Sequence, residues 1–154
     1  MVPRASTATQ VRQREELAGE AWRLLTEMFM SRKHRFVDVA SSLDLTPGDL
    51  HTLLSLEAGV PRAMRTLAET LHCDPSNVTW LIDRLEARGF VERHTHVRDR
   101  RVKTVLLTPA GMDAQELAWG RISEAPAELT ALSSEQLRDL VGLLELVEPP
   151  PLGP

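Results

Sequence analysis

From Val11 to about Ser42 the apolar residues recur at helical spacing. Leu17, Ala21, Leu24, Met28, Phe36, Val39, Ala40 and Leu43 form one stripe, with Leu25 and Phe29 beside it. The pattern predicts a single long helix. Roughly 30 helical residues extend ~45 Å, more than a domain of this size covers by itself, so part of the band is expected to pack on a second subunit. The polar, aperiodic residues 1–10 read as a disordered arm.

Leu45-Thr46-Pro47-Gly48-Asp49 breaks the long helix and opens another, with Thr46 as N-cap and Pro47 in the first turn. That helix is predicted to run to about Glu57, with Leu50, Leu53 and Leu54 inward. Ala58-Gly59-Val60-Pro61 is a turn. Arg62–Leu71 reads as a short helix burying Met64, Leu67, Ala68 and Leu71, and His72-Cys73 turns tightly into the next.

The next helix starts at Asp74, whose carboxylate can accept from free N–H groups of the first turn, with Pro75 behind it. Val78, Leu81, Ile82 and Leu85 mark its buried face; Ser76, Thr79, Trp80, Asp83 and Ala87 mark the opposite one. Gly89 ends it in the left-handed conformation. Two extended runs follow, Phe90–His94 and Val102–Leu107, with polar and basic residues between them. Thr108-Pro109 then opens a helix of about Ala110–Glu124, whose larger apolar residues are Met112, Leu117, Trp119 and Ile122. Ala125-Pro126 interrupts it. Ser133 or Ser134 caps a last helix reaching Glu148, with apolar residues on more than one side, which again suggests burial against a partner chain. The Pro-rich end, 149–154, is an extended tail.

Two helices joined by a short turn, the second followed at once by a basic hairpin, form a winged helix-turn-helix. The fold class expected is mainly α with a small β-wing. Residues 46–108 form the DNA-binding lobe, flanked by dimerisation helices at 11–45 and 109–148.

Composition bounds this reading. The 154 residues suit one domain, and 42% hydrophobic with 26% charged residues is ordinary for a soluble protein. No apolar run or signal-peptide core is present, and the single cysteine, Cys73, fits a reducing cytosol, so a cytoplasmic protein without membrane association is expected. The net charge of −4 argues against nucleic acid only until its distribution is seen. Asp74–Thr108 holds seven Lys and Arg against five Asp and Glu, whereas Pro109 to the end holds two against eight. A basic wing is set apart from an acidic C-terminal part, as expected when one surface alone meets phosphate.

The wing carries Arg98, Arg100, Arg101 and Lys103. Arg98, nearest the tip, suits insertion into a narrow A·T minor groove. Asp99 can pair with Arg100 or Arg101 and brace the loop. On the helix, Ser76, Asn77 and Thr79 suit base and phosphate hydrogen bonds, or capping and solvation. Arg84 suits a phosphate, or, like Arg88, an ion pair with Asp83 or Glu92. Trp80 either meets DNA or folds back over the neighbouring helix.

His94 and His96 share a strand face, but two ligands are too few for a metal site. A phosphate-cradling glycine loop, an H-E-x-x-H, a CxxC and a serine-nucleophile motif are all lacking in the sequence, so neither an enzyme nor a cofactor is expected. The other reading left open is a winged-helix protein–protein module that does not bind DNA.

Asp99-x-Arg101-x5-Leu107-Thr108, the run from Val78 to Arg93 (VTWLIDRLEARGFVER) and the Leu45-Thr46 opening resemble the MarR family of bacterial transcription regulators. The resemblance covers about Leu17 to Ala118. It implies an obligate homodimer built from the terminal helices, with two winged lobes on a pseudo-palindromic operator in double-stranded DNA. It also implies a phosphate contact at Arg101, frequent repression of the family member's own gene, and a small effector, commonly a phenolic or lipophilic anion. Trp22, Arg23, Met28, His34, Arg35, Phe36 and His51 are candidates for such an effector, with Arg23 and His51 preferred. Trp80 departs from the family, which usually has a small polar residue or Arg there. The oxidant-sensing branch has its reactive cysteine near the start of the first helix, with tyrosines; this chain has no Tyr and its Cys73 lies elsewhere, so Cys73 reads as structural.

Overall fold

A computed structural model describes residues 5–95 and 102–147; the wing tip and the tail lie outside them. The chain divides into two compact units, Met1–Asp38 and Val39–Pro154.

The first unit holds α1 (Ala5–Ser31) and the start of α2 (Lys33–Ser42). Two helices thus stand where the apolar pattern predicts one. At the junction the amides of Arg32 and Arg35 donate to carbonyls three residues back, Phe29 O at 3.0 Å and Arg32 O at 2.9 Å. Ser31 Oγ donates to Met28 O at 2.9 Å. Bonds to the third residue tighten the turn, and the hydroxyl competes for a carbonyl of the ladder, so the helix ends without Gly or Pro. The disordered arm is corrected too: α1 begins at Ala5, not Val11. No helix breaker follows Pro3 until Gly19, and extending a formed helix adds one bond per residue. Every described side chain of α1 is exposed. Its apolar stripe is helical, as expected, and wholly uncovered.

The second unit contains α3 (Pro47–Leu54), β1 (Arg62–Ala63), α4 (Met64–Thr70), α5 (Pro75–Ala87), β2 (Val91–Thr95), β3 (Lys103–Leu107), α6 (Pro109–Ile122), α7 (Ala127–Thr130) and α8 (Ser134–Glu145). The three strands form an antiparallel sheet in the order β1-β3-β2. Val91 faces Leu107 and Thr95 faces Lys103 across the wing; Arg62 faces Val105 on the other side. The sequence pattern missed β1, absorbing it into the following helix. Two residues are too short for an alternation, and they become a strand only because β3 offers them its free edge.

Thr46 caps α3 as expected, and Asp49 completes a reciprocal capping box: Thr46 N donates to Asp49 Oδ2 at 2.9 Å, and Asp49 N donates to Thr46 Oγ1 at 3.2 Å. Asp74 occupies the N-cap of α5 but makes no side-chain cap bond, which corrects the expectation for its carboxylate. Its carbonyl instead accepts from Asn77 N and Val78 N. Gly89 follows the end of α5 at φ +72, its amide bonded to Glu86 O and that of Phe90 to Leu85 O, a Schellman close.

The core of the lobe comes from Leu50 and Leu53 of α3, Leu67 of α4, Val78, Ile82 and Leu85 of α5, and Val105 of β3, all fully buried. α6 is held to the same unit by its small residues, Gly111, Ala114 and Ala118, while Met112, Leu117 and Trp119 point outward. A Cβ on Gly111 would collide with Phe90 O, so α6 lies directly on that backbone. Gln115 Nε2 donates to Leu53 O (2.9 Å) and Leu56 O (2.8 Å), and Arg121 to Ser42 Oγ (2.7 Å). The compact unit therefore runs past residue 108. Ser133 caps α8 with a Gln136 capping box, yet α8 buries none of its residues.

Candidate nucleic-acid interface

α5 divides its surface as its spacing predicts. Val78, Leu81, Ile82 and Leu85 are buried, while Ser76, Asn77, Thr79, Trp80, Asp83 and Ala87 are exposed. The N-terminal half of the outer face therefore offers hydroxyls, an amide and one indole, the groups that can meet base edges in a major groove. Thr79 Oγ1 donates to Pro75 O at 2.9 Å, which leaves its lone pairs outward.

Three arginines fix this helix in the lobe. Arg84 Nη2 donates to Asp49 Oδ2 at 2.7 Å, and the Asp49 side chain is fully buried. The same oxygen accepts from Thr46 Oγ1 at 2.8 Å. Arg84 also lies over the Trp80 ring, its Cζ 4.6 Å from the centroid, within cation–π reach. Arg88 donates to Asp44 Oδ2 at 2.8 Å, and Asp44 is itself in the left-handed region at φ 55. Arg93 of β2 reaches back to α5, pairing with Asp83 at 2.5 Å and Glu86 at 2.6 Å and donating to Thr79 O at 3.2 Å. The root of the wing and the recognition helix are thus clamped together.

These contacts revise the sequence expectation for Arg84. Neither a phosphate contact nor a pairing with Asp83 or Glu92 describes it; its guanidinium is committed to Asp49 and to the Trp80 ring. Trp80 does not fold back as core, since it remains 52% exposed. Asp49 and Arg93 were missed. Asp49 lies 35 residues before its partner, and Arg93 faces α5 only because of the strand register; neither separation leaves a local pattern.

At the base of the wing Lys103 Nζ donates to Thr95 Oγ1 at 3.3 Å, and His94 Nε2 meets Glu92 Oε1 at 2.8 Å. An open groove of about 700 Å³ joins the flank of α5 to this base, lined by Thr79, Asp83, Arg93, Met64 and Lys103 among others. Arg98, Asp99, Arg100 and Arg101, like His96, lie outside the described residues. Among the described residues no cluster of three or more His, Cys, Asp or Glu could hold a metal ion. No helix among them is long and apolar enough to cross a membrane.

Of the effector candidates, Trp22, Arg23 and Met28 lie on α1 and are exposed, with Arg23 Nη1 bound to Glu27 Oε1 at 2.7 Å. His51 lies exposed on α3 in the second unit.

A helix pair whose second member carries a polar outer face and is clamped to a β-hairpin defines a winged helix-turn-helix protein. Its sequence matches the model of the MarR family over residues 45–103. The HTH-type transcriptional repressor MdtR of Bacillus subtilis (strain 168) is 27% identical over 124 residues, covering 80% of this chain and 80% of that protein. Wild-type MarR from E. coli in its apo form superposes with a TM-score of 0.69 at 25% identity, over 82% of this chain and 95% of that one. A mutant of S. aureus MepR bound to oligodeoxyribonucleotide shares the fold, with a TM-score of 0.63 at 22% identity over 83% and 98% of the two chains. The chain belongs to the MarR family of transcriptional regulators, on the strength of the lobe between Leu45 and Lys103, and is not an enzyme.

Proposed function

We propose that this chain is a homodimeric repressor that binds a pseudo-palindromic operator and releases it on binding a small aromatic or phenolic ligand. One observation carries the DNA-binding part: an exposed polar helix face, Ser76 to Trp80, is clamped by Arg93 to the root of a wing whose sequence is basic. The likeness to MdtR, named a transcriptional repressor, and to MepR, seen with an oligodeoxyribonucleotide, supports it. In this reading Ser76, Asn77 and Thr79 meet bases or their adjoining phosphates. Arg98 enters the minor groove, Arg100 and Arg101 meet phosphate, and Asp99 braces the loop.

Dimerisation is supported by apolar side chains with no cover. Phe29 is 74% exposed on α1 and Leu143 63% on α8. The helices at 11–45 and 109–148 then supply the interface. Trp22, Met28 and Arg23 offer apolar surface beside a guanidinium, and His51 a second polar group, which suits an aromatic carboxylate. A ligand that alters the separation of the two recognition helices lowers DNA affinity, because half-sites about one helical turn (~34–36 Å) apart tolerate little change.

Fluorescence anisotropy with DNA over a salt gradient tests the reading. Each phosphate contact adds about 0.9 to the slope of log affinity against log salt, so replacing Arg98 and Arg101 by Ala should reduce that slope by roughly one to two and weaken all sequences. Unchanged binding in the double variant, or salt-insensitive binding by the unmodified chain, contradicts it.

A further inference from the structure

Trp80 and Arg84 together form a device that the base and phosphate contacts above leave unexplained. The carboxylate of Asp49 is fully buried and already accepts from Thr46 N and Oγ1 through Oδ2. Arg84 Nη2 joins that oxygen at 2.7 Å, which holds the guanidinium at one edge. Its flat face is left over the indole of Trp80, Cζ 4.6 Å from the ring centroid. Trp80 is thereby fixed from one side, yet it remains 52% exposed on the same face as Ser76 and Asn77. A large apolar ring held still on the outer face of a recognition helix is costly to leave in water, and its ordering has been completed before any DNA arrives.

In a major groove the apolar handle on a base edge is the C5-methyl group of thymine. The indole offers a single N–H donor and no acceptor, so it lacks the bidentate hydrogen bonds that distinguish guanine or adenine. On the proposed DNA-binding reading, we infer that Trp80 reads a 5-methyl pyrimidine by apolar contact, and that Arg84 is a positioning residue, held by Asp49, rather than a phosphate ligand. A thymine is therefore required in each half-site at the position beneath Trp80.

The probe is a duplex enriched from a random library by the full-length chain, with its thymines replaced by uracil one at a time. This exchange removes the methyl group and keeps every hydrogen-bonding atom. One thymine per half-site should lose about fourfold in affinity, matching ~0.8 kcal/mol for a buried methylene-sized group. Trp80→Thr should abolish that discrimination, and Arg84→Met should weaken it while leaving the salt slope unchanged. In the Trp80→Thr background Arg84→Met should have no further effect on the thymine-to-uracil ratio. A slope that falls by about one in Arg84→Met identifies a phosphate contact and overturns the positioning role. Specific binding by the unmodified chain that ignores every thymine-to-uracil exchange overturns the methyl contact alone. Absence of salt-sensitive binding to any duplex removes the DNA-binding reading and this inference with it.

Discussion

α5 and α8 are helices of similar length, 13 and 12 residues, and each has apolar residues at regular spacing. α5 buries four of its residues, and its outer face is bound into the lobe through Arg84 and Arg93. α8 buries none; Leu143, Leu144, Leu146 and Val147 stand in the open. α1 repeats the second condition in the other unit, with Trp22 and Phe29 exposed. A helix that satisfies its apolar face within its own lobe is free to use its polar face for recognition. A helix with an unsatisfied apolar face needs a second chain. The contrast assigns recognition to α5 and assembly to the terminal helices, and it can be broken by substitution.

The largest effect is expected on α8. Leu143→Ser with Leu146→Ser should weaken the dimer by about 4 kcal/mol, roughly a thousandfold in dissociation constant, if both side chains are buried by a partner. Sedimentation across a concentration series reads this; an unchanged constant removes these residues from the interface. Inside the lobe, Ile82→Ala should cost about 3 kcal/mol of intrinsic stability through the cavity it leaves, whatever the protein concentration. Thermal melts at two concentrations separate this loss from a loss of assembly.

Gly111→Ala places a methyl group against Phe90 O and should cost about 2 kcal/mol, by detaching the start of α6 from the turn after α5. Urea midpoints check it, and a neutral result shows that α6 shifts without penalty. Smallest is Arg93→Ala, about 1 kcal/mol, since Arg93 is largely covered but its partners Asp83 and Glu86 are partly solvated. Its sharper consequence is for DNA: the wing root loses its tie to α5, and affinity should fall more than stability does.

Much of the lobe could be read from the chain. The four buried residues of α5, the Thr46 and Thr108 caps and the turn at Gly89 are local features, set by spacing and by the chemistry of single residues. What could not be read depends on tertiary partners. β1 exists only beside β3. The break at Arg32 lacks Gly and Pro, and arises from a Ser side chain and two shortened turns. The inward face of α6 is made of Gly111, Ala114 and Ala118, because close approach to Phe90 selects small residues; reading the large ones pointed to the wrong face. Among the candidate site residues, the exposure of Ser76, Asn77, Thr79 and Trp80 follows from the helical period. The commitment of Arg84 to Asp49 does not, for it joins two helices far apart in sequence.

The central claim, that α5 and the wing of a dimer read DNA, is tested most directly by selecting duplexes from a random library with the purified full-length chain. The account predicts one enriched pseudo-palindrome, with half-sites about ten base pairs apart, bound with an affinity that falls steeply as salt rises. A pool that stays random after selection, with no salt-dependent retention of DNA, would contradict it.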